Sequence, residues 1–229
     1  VVGNAEALVK QSVDQLIVTN LDFIQAFDAI INEENFKLIK AWMMVSNMIK
    51  FASELTDEIR IAGGAFTRAL SGTKEARSKE KFAFYSAYDP FGQVVGLHYG
   101  ETYFGPVAKE DVKTMVFEML DVYKERIANN TWLKEATKEK AIKKLSTLTV
   151  HVGYPDELPP YYDQFEIKGY DAGSNLVEER LAIARIINRY TFDKYNKAPN
   201  KNIWSMPASM VNAYFNPMNN QIVFPAAIL

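Results

Sequence analysis

The stretch WSMPASMVNAYFNPMNNQIVFPAAIL, residues 204–229, decides the fold because it carries the clearest β-strand signals in the chain. Residues 210–215 are rich in side chains that favour strands, and residues 222–224 form a second short run of β-branched and aromatic side chains. The intervening loop, residues 216–220, has the Asn and Pro content of a turn. The stretch therefore predicts a β-hairpin that follows a series of helical segments.

Asn212 is the unusual residue of the first predicted strand. Alternation along a strand places it on one face with Met210 and Tyr214, and places Ala213 and Phe215 on the other. Asn disfavours strands, and its amide needs hydrogen-bond partners there. One interpretation is that an extended peptide lies alongside the strand and that Asn212 fixes its register by β-augmentation. The other is that Asn212 is a turn-side amide within a core hairpin.

Three blocks of the sequence match the pattern of one known family. They are VNAYFNP at 211–217 followed by NQIVFPAAIL at 220–229, the region from Trp132 to the GYPD at 153–156, and the helical run that ends at Phe104. Together they resemble the neprilysin-type zinc metallopeptidases, which include endothelin-converting enzyme and the bacterial oligopeptidase PepO, the member most like this chain. One position departs from the pattern: the family usually has Tyr where this chain has Phe215, so a hydroxyl is lost.

The resemblance implies that the first predicted strand binds substrate. In the family this strand is the edge of the active-site cleft, where its Asn and Ala hold the substrate backbone. The resemblance implies the same roles for Asn212 and Ala213, and it implies that Tyr214 and Phe215 line the cleft. The implied function is that of a segment of a zinc-dependent metalloendopeptidase that hydrolyses oligopeptides. This segment would supply the substrate-binding edge strand and the wall of the enclosed cleft.

The family's zinc motif does not occur in these 229 residues. In H-E-x-x-H, two His share one helical face and the Glu activates a metal-bound water. His98 and His151 are too far apart for this motif, and neither precedes a Glu. His98 and Glu101, three residues apart, provide two ligands and do not make a zinc site; both histidines are interpreted as structural.

The resemblance therefore implies zinc in the intact enzyme and no catalytic or metal-binding residue in this segment. We expect the chain to be an internal piece of a longer enzyme, inactive on its own, that ends before the zinc motif.

The composition of the chain limits the classes of partner that it is expected to bind. With 26 basic and 28 acidic residues the net charge is −2, which argues against nucleic-acid binding and leaves peptide substrates as the expected partners. No segment is apolar enough to predict a membrane span. The absence of cysteine favours a bacterial cytoplasmic enzyme, while a secreted or cell-surface location stays open. An unpaired hairpin edge also predicts self-association through the C-terminal strand.

The remaining periodicity predicts a mainly α protein. Residues 1–200 are expected to form part of a helical lobe that caps the cleft, with a strand near 150–154. Residues 201–229 would begin a thermolysin-like catalytic domain. Proline at 90 is predicted to begin a helix. The N-caps are predicted at Asn20 or Asp22, Ser53 or Thr56, Thr137, and Asn175.

Two further helix predictions concern packing. Residues 109–128 show an amphipathic pattern with one apolar stripe formed by Val112, Met115, Val116, Met119, Leu120 and Tyr123. A helix from residue 53 or 56 to about residue 70 contains Gly63 and Gly64, which weaken it but would permit close helix packing.

A second class of function stays open. The chain would then be a non-catalytic helical peptide-binding or scaffold domain that uses the same strand to bind peptides without cutting them. The gene sequence downstream of Leu229 discriminates between the two, because an H-E-x-x-H motif there indicates a peptidase.

Overall fold

The structure is a computed structural model that describes residues 7, 9, 10, 12, 13, 15 and 17–229. The helices are α1 Leu21–Gln25, α2 Phe27–Ile30, α3 Phe36–Lys50, α4 Asp57–Gly63, α5 Ala65–Ser71, α6 Lys79–Tyr99, α7 Gly105–Ala128, α8 Glu135–Ser146 and α9 Leu176–Phe192. The strands are β1 Thr149–Gly153, β2 Tyr214–Asn216 and β3 Gln221–Pro225. The predicted class, mainly α with a short C-terminal β-hairpin, is confirmed.

The chain forms two compact units. The first, called the helical unit, comprises residues 1–82 and 164–196. The second, called the sheet unit, comprises residues 83–163 and 197–229. The division into a lobe of residues 1–200 and a catalytic-domain start at 201 concerns the longer enzyme and stays a prediction.

In the helical unit, side-chain caps begin three helices where the sequence predicts them. Asn20 accepts a hydrogen bond from the Phe23 amide at the start of α1. Thr56 and Asn175 do the same at the starts of α4 and α9. These side chains satisfy amide groups that have no partner within the helix, which is why Asn and Thr are favoured there. The helical spacing of apolar side chains also predicts a helix over residues 4–18, and seven of those fifteen positions lie outside the described residues.

The predicted helix from Thr56 to about residue 70 is two helices, with α4 ending at Gly63 and α5 beginning at Ala65. Gly63 lies against Ala52: a Cβ atom built on the glycine would be 2.8 Å from the Ala52 Cβ. The predicted close approach at this glycine pair is therefore present. The predicted stop at Ser71-Gly72 is confirmed as the end of α5.

In the sheet unit, the predicted helix start at Pro90 is wrong, because Pro90 lies inside the 21-residue helix α6. Proline removes one backbone hydrogen bond from a helix interior, and here the tertiary packing around α6 outweighs that loss. A π-helical turn, Gly100–Phe104, follows α6 and leads into α7, which has Pro106 in its first turn.

One other prediction for this unit is wrong. Thr137 is not an N-cap, because α8 begins at Glu135 after Lys134. The Asn130 side chain instead accepts hydrogen bonds from the amides of Trp132 and Leu133 just before α8.

The predicted apolar stripe of α7 is not a buried face. Of its members only Leu120 is buried, whereas Met115, Met119 and Tyr123 are exposed. Val112 and Val116 are half-buried.

The GYPD block, residues 153–156, is fixed to α7 by one lysine. The Lys109 Nζ atom donates to the Tyr154 carbonyl at 2.9 Å and lies 2.5 Å from the Asp156 carboxylate. The same ammonium lies 4.2 Å from the centre of the Tyr154 ring. The motif thus joins the end of β1 to the first turns of α7.

The sheet has the order β1-β3-β2, with β1 parallel and β2 antiparallel to β3. Strand β1 confirms the strand predicted near 150–154. The predicted first hairpin strand is too long, because only residues 214–216 pair with β3. Before them the Met210 amide donates to Pro207, and the Asn212 amide donates to Met210. These local bonds turn the chain, so Asn212 and Ala213 precede β2 and do not share its pleat.

The core of the sheet unit lies between the sheet and the C-terminal segments. Its buried members are Trp204, Ala208, Val223 and Ala226, with Tyr99, Phe104, Tyr154 and Tyr214 packed against them. All four buried members, and Tyr214 beside them, come from residues 204–229, the stretch with the clearest strand signals.

Candidate functional site

The four residues predicted to bind substrate lie together in sequence but differ in environment. Asn212 is exposed, Ala213 is half-buried, and both precede β2. The Asn212 Oδ1 atom accepts from the Ala213 amide at 2.8 Å. Within the part of the chain that the structure describes, the Nδ2 group of Asn212 has no hydrogen-bond partner. That side-chain amide is therefore available to a carbonyl group from outside.

Tyr214 and Phe215 occupy opposite faces of β2. Tyr214 packs on the core, and its hydroxyl accepts from the Ser205 amide at 3.0 Å. Phe215 is 44% exposed, and the Lys144 ammonium lies 5.3 Å from its ring centre. The structure thus brings Phe215 to the surface and places Tyr214 beneath it, as strand alternation requires.

Strand β2 has one free edge among the described residues. It pairs with β3 on one side, and β3 in turn pairs with β1. An unpaired edge of this kind presents amide and carbonyl groups to which an extended peptide can add as a further strand. Asn212 lies at the start of this edge.

The chain that leads into the edge, residues 201–213, is called the approach segment. Its backbone is held from several directions: Gln93 Nε2 donates to the Trp204 carbonyl at 3.1 Å, and the Ala227 amide donates to the Ala208 carbonyl at 3.0 Å. The hydroxyls of Tyr88 and Ser209 lie 2.8 Å apart. The approach segment is thereby fixed to α6 and to the residues that follow β3.

Two glycines of α6 create the space for the approach segment. A Cβ atom on Gly96 would lie 2.6 Å from the Ala208 backbone nitrogen, and one on Gly92 would lie 3.1 Å from Pro207. Any larger residue at position 96 would collide with the backbone of the segment. The spacing of Gly92, Gly96 and Gly100 at every fourth residue could have revealed this face in the sequence.

Two polar side chains, buried Gln221 and half-buried His151, fix the beginning of the approach segment. Gln221 on β3 donates from Nε2 to the Lys201 carbonyl at 2.7 Å. His151 on β1 reaches the same carbonyl with Nε2 at 2.8 Å, and its ring centre lies 5.8 Å from that of Trp204. Burial lowers the pKa of His151 below its ordinary value, against the opposing effects of the Lys201 carbonyl and Asp156. His151 is structural, as predicted from the sequence.

No metal site is formed by the described residues. Among them, no three His, Cys, Asp or Glu side chains come close enough together to hold a metal ion. His98 and Glu101 are both exposed, and the structural interpretation of His98 stays a prediction. The described residues therefore do not fit a zinc centre.

The family model described as Peptidase family M13 matches residues 3–155, and the chain belongs to this family. The chain is 45% identical over 222 residues to a neutral endopeptidase of Lactococcus lactis subsp. lactis, covering 97% of this chain and 35% of that protein. It is 43% identical over 222 residues to a putative zinc metalloproteinase of Streptococcus gordonii, covering 97% of this chain and 39% of that protein.

A solved structure agrees with this membership. The crystal structure of PepO from Lactobacillus rhamnosis superposes with a TM-score of 0.81 at 36% identity, covering 89% of this chain and 32% of that one. The resemblance to the neprilysin-type peptidases, and to PepO among them, is confirmed. The chain spans a little over a third of the length of the two relatives named above.

Among the described residues, no helix combines the length and the apolar character that crossing a bilayer requires.

Proposed function

We propose that the intact protein is a zinc-dependent metalloendopeptidase that hydrolyses oligopeptides, and that this chain supplies the edge on which the substrate backbone lies. Membership of Peptidase family M13 supports the proposal. So do the names of the relatives, a neutral endopeptidase and a putative zinc metalloproteinase. The observation that carries the role of this chain is the free edge of β2, with the unpartnered Asn212 amide at its start.

The proposed binding mode uses the backbone first and side chains second. An extended peptide adds along the free edge and exchanges main-chain hydrogen bonds with it. The Asn212 side-chain amide donates to a peptide carbonyl and fixes the register, with Ala213 supplying main-chain groups beside it. Phe215 presents an exposed apolar ring to a substrate side chain, while Tyr214 supports the strand from the core.

The zinc of the proposed enzyme is bound outside these residues. Among the described residues no group of His, Cys, Asp or Glu could hold a metal ion, and we assign to them substrate binding and no metal ligand. By resemblance to the family, the helical residues 1–200 form the lobe that walls the cleft, and residues 201–229 begin the catalytic domain. The lack of cysteine supports a cytoplasmic location.

Peptide cleavage by the intact protein tests this function. We expect the intact protein to cleave an internally quenched oligopeptide, to lose that activity with a metal chelator, and to regain it when zinc is added back. Cleavage that survives the chelator contradicts the zinc mechanism. Binding of the same peptide without cleavage contradicts the peptidase assignment and favours a scaffold.

The same free edge supports a second, weaker proposal. We propose that the 229-residue chain associates with itself through β2, because an exposed strand edge pairs readily with another copy. Sedimentation velocity over a range of concentrations is expected to show a concentration-dependent dimer. A monomer at every concentration contradicts it.

A further inference from the structure

Gln221 is a buried polar residue that the substrate-binding role does not itself use. It is 1% exposed, and it shares the buried face of β3 with Val223 and Pro225. A polar side chain on a buried strand face is costly unless it is hydrogen-bonded. Its bond to the Lys201 carbonyl is the compensating contact that the structure provides.

His151 adds a second donor to the same oxygen. Thr149 and His151 of β1 are in register with Gln221 and Val223 of β3, which places both donors on one face of the sheet. Because a carbonyl oxygen only accepts, His151 must carry its proton on Nε2. A carbonyl oxygen has two lone pairs, and here two side chains from neighbouring strands engage it.

The fixed carbonyl belongs to the first residue of the approach segment. Further along, the segment is held at Trp204, Ala208 and Ser209, and then it delivers Asn212 and Ala213 to the free edge. Binding groups need to be held close to their productive geometry to use their full interaction with a ligand. Movement at Lys201 would propagate along a segment that has no regular secondary structure before β2.

We infer that Gln221 and His151 are positioning residues for substrate binding: together they clamp the Lys201 carbonyl so that the approach segment presents Asn212 and Ala213 in one register. This inference rests on the proposed peptidase function. Neither side chain touches the substrate; both act through the backbone of the approach segment.

The test compares variants of the intact protein in steady-state peptide cleavage. Gln221→Met and His151→Phe remove one donor each and keep similar volume. We expect each to raise KM about fivefold and to leave kcat within about twofold, the scale of one lost hydrogen bond. His151→Gln keeps a donor near the Nε2 position and is expected to restore most of the wild-type KM. Gln164→Met, the same chemical change at an exposed position, is the matched control.

Hydrogen exchange gives a readout that does not depend on turnover. In the intact protein, Gln221→Met and His151→Phe are expected to speed exchange of the amides at 204–213 and to leave those of α8 unchanged. Faster exchange throughout the sheet unit would overturn the inference in favour of a role in folding alone. Because His151 is only half-buried, its variant keeps the test valid if Gln221→Met unfolds.

The outcomes separate this inference from the function on which it rests. If wild type cleaves peptide and Asn212→Ala raises KM, but both donor variants keep the wild-type KM, the inference fails and the function stands. Equal KM values for His151→Phe and His151→Gln also overturn it. A wild-type protein that cleaves no peptide overturns both.

Discussion

The two units differ in how many apolar side chains they bury: among the described residues, the helical unit buries Ala52 and Ile183, whereas the sheet unit buries a cluster around Trp204. In the sheet unit Trp204 is 5% exposed within a core that also buries Val223. In the helical unit Trp42 is 70% exposed, and none of the fifteen residues of α3 is buried. The sheet unit therefore contains a core of its own. The helical unit displays apolar surface of the kind that marks contacts with further protein.

The comparison shows where the free edge of β2 gets its rigidity. Free edges on poorly packed strands slip in register, whereas β2 is backed by the core through Tyr214 and by the anchored approach segment. The apolar face of α3, which includes Met43, Met44 and Met48, has no comparable support. We therefore expect the helical unit to open at lower free energy than the sheet unit.

Alanine substitutions at Trp204 and at Trp42 test this comparison, and they have the largest expected effect. Trp204→Ala should lower the free energy of unfolding by about 4 kcal/mol, because it removes a buried indole and leaves a cavity. The same change at Trp42 should alter it by no more than about 0.5 kcal/mol, as for an exposed residue. Urea denaturation followed by circular dichroism measures both. Similar losses would mean that the units do not differ as described.

The glycine face of α6 gives the next largest effect. Gly96→Ala should cost about 2 kcal/mol, because the new methyl group meets the backbone of Ala208 and outweighs the better helix propensity of alanine. Gly169→Ala is the matched control, since a Cβ atom there has nothing within 4 Å. Urea denaturation again measures the effect. A Gly96→Ala protein as stable as wild type would contradict the close packing of the approach segment against α6.

Removing the helix cap at Asn175 in the helical unit is expected to have a smaller effect on stability. Asn175→Ala should destabilise the protein by about 1 kcal/mol, because the amide of Glu178 loses its acceptor at the start of α9. Thr137→Ala, within the first turn of α8, should cost less than about 0.5 kcal/mol. Thermal unfolding of the two variants checks the difference. A larger loss for Thr137→Ala would restore the cap predicted from the sequence.

The smallest expected effect is on how the free energy of unfolding depends on pH. Burial lowers the pKa of His151 in the folded state, so the unfolded chain takes up the proton first as pH falls. The stabilisation is complete above the unfolded pKa, about 6.5, and is lost as pH falls through the lower folded value. Wild type should therefore lose more stability than His151→Phe between pH 7 and pH 5, with Asp156 opposing and Lys109 reinforcing the shift. Parallel urea curves at each pH measure this, and identical pH profiles would contradict it.

The parts of the fold that were predictable are those governed by local chemistry. Asn20, Thr56 and Asn175 cap helices because their side chains satisfy nearby amides, whatever the tertiary context. The strand near 150–154 and the hairpin follow from β-branched and aromatic runs. Family membership was also recognisable, because the VNAYFNP and NQIVFPAAIL blocks are long and specific.

The parts that were not predictable depend on tertiary contacts. Pro90 lies within α6, which packs against the approach segment, and the preference of proline for a helix start led to the wrong boundary. Asn212 lies outside β2 because the amides of Met210 and Asn212 bond within the turn, so strand propensity alone assigned it wrongly. The Gln221 clamp was missed because its partner is a backbone carbonyl twenty residues away.

The roles of Asn212, Ala213, Tyr214 and Phe215 remain predictions that rest on the free edge and on the family resemblance. The most direct test is the kcat/KM of the intact protein for an oligopeptide, with Asn212→Ala compared against Asn219→Ala in the hairpin turn. We predict that Asn212→Ala lowers kcat/KM by the equivalent of about 1–3 kcal/mol, the cost of an unpaired polar partner, and that Asn219→Ala does not. Wild-type kinetics for Asn212→Ala would contradict the account.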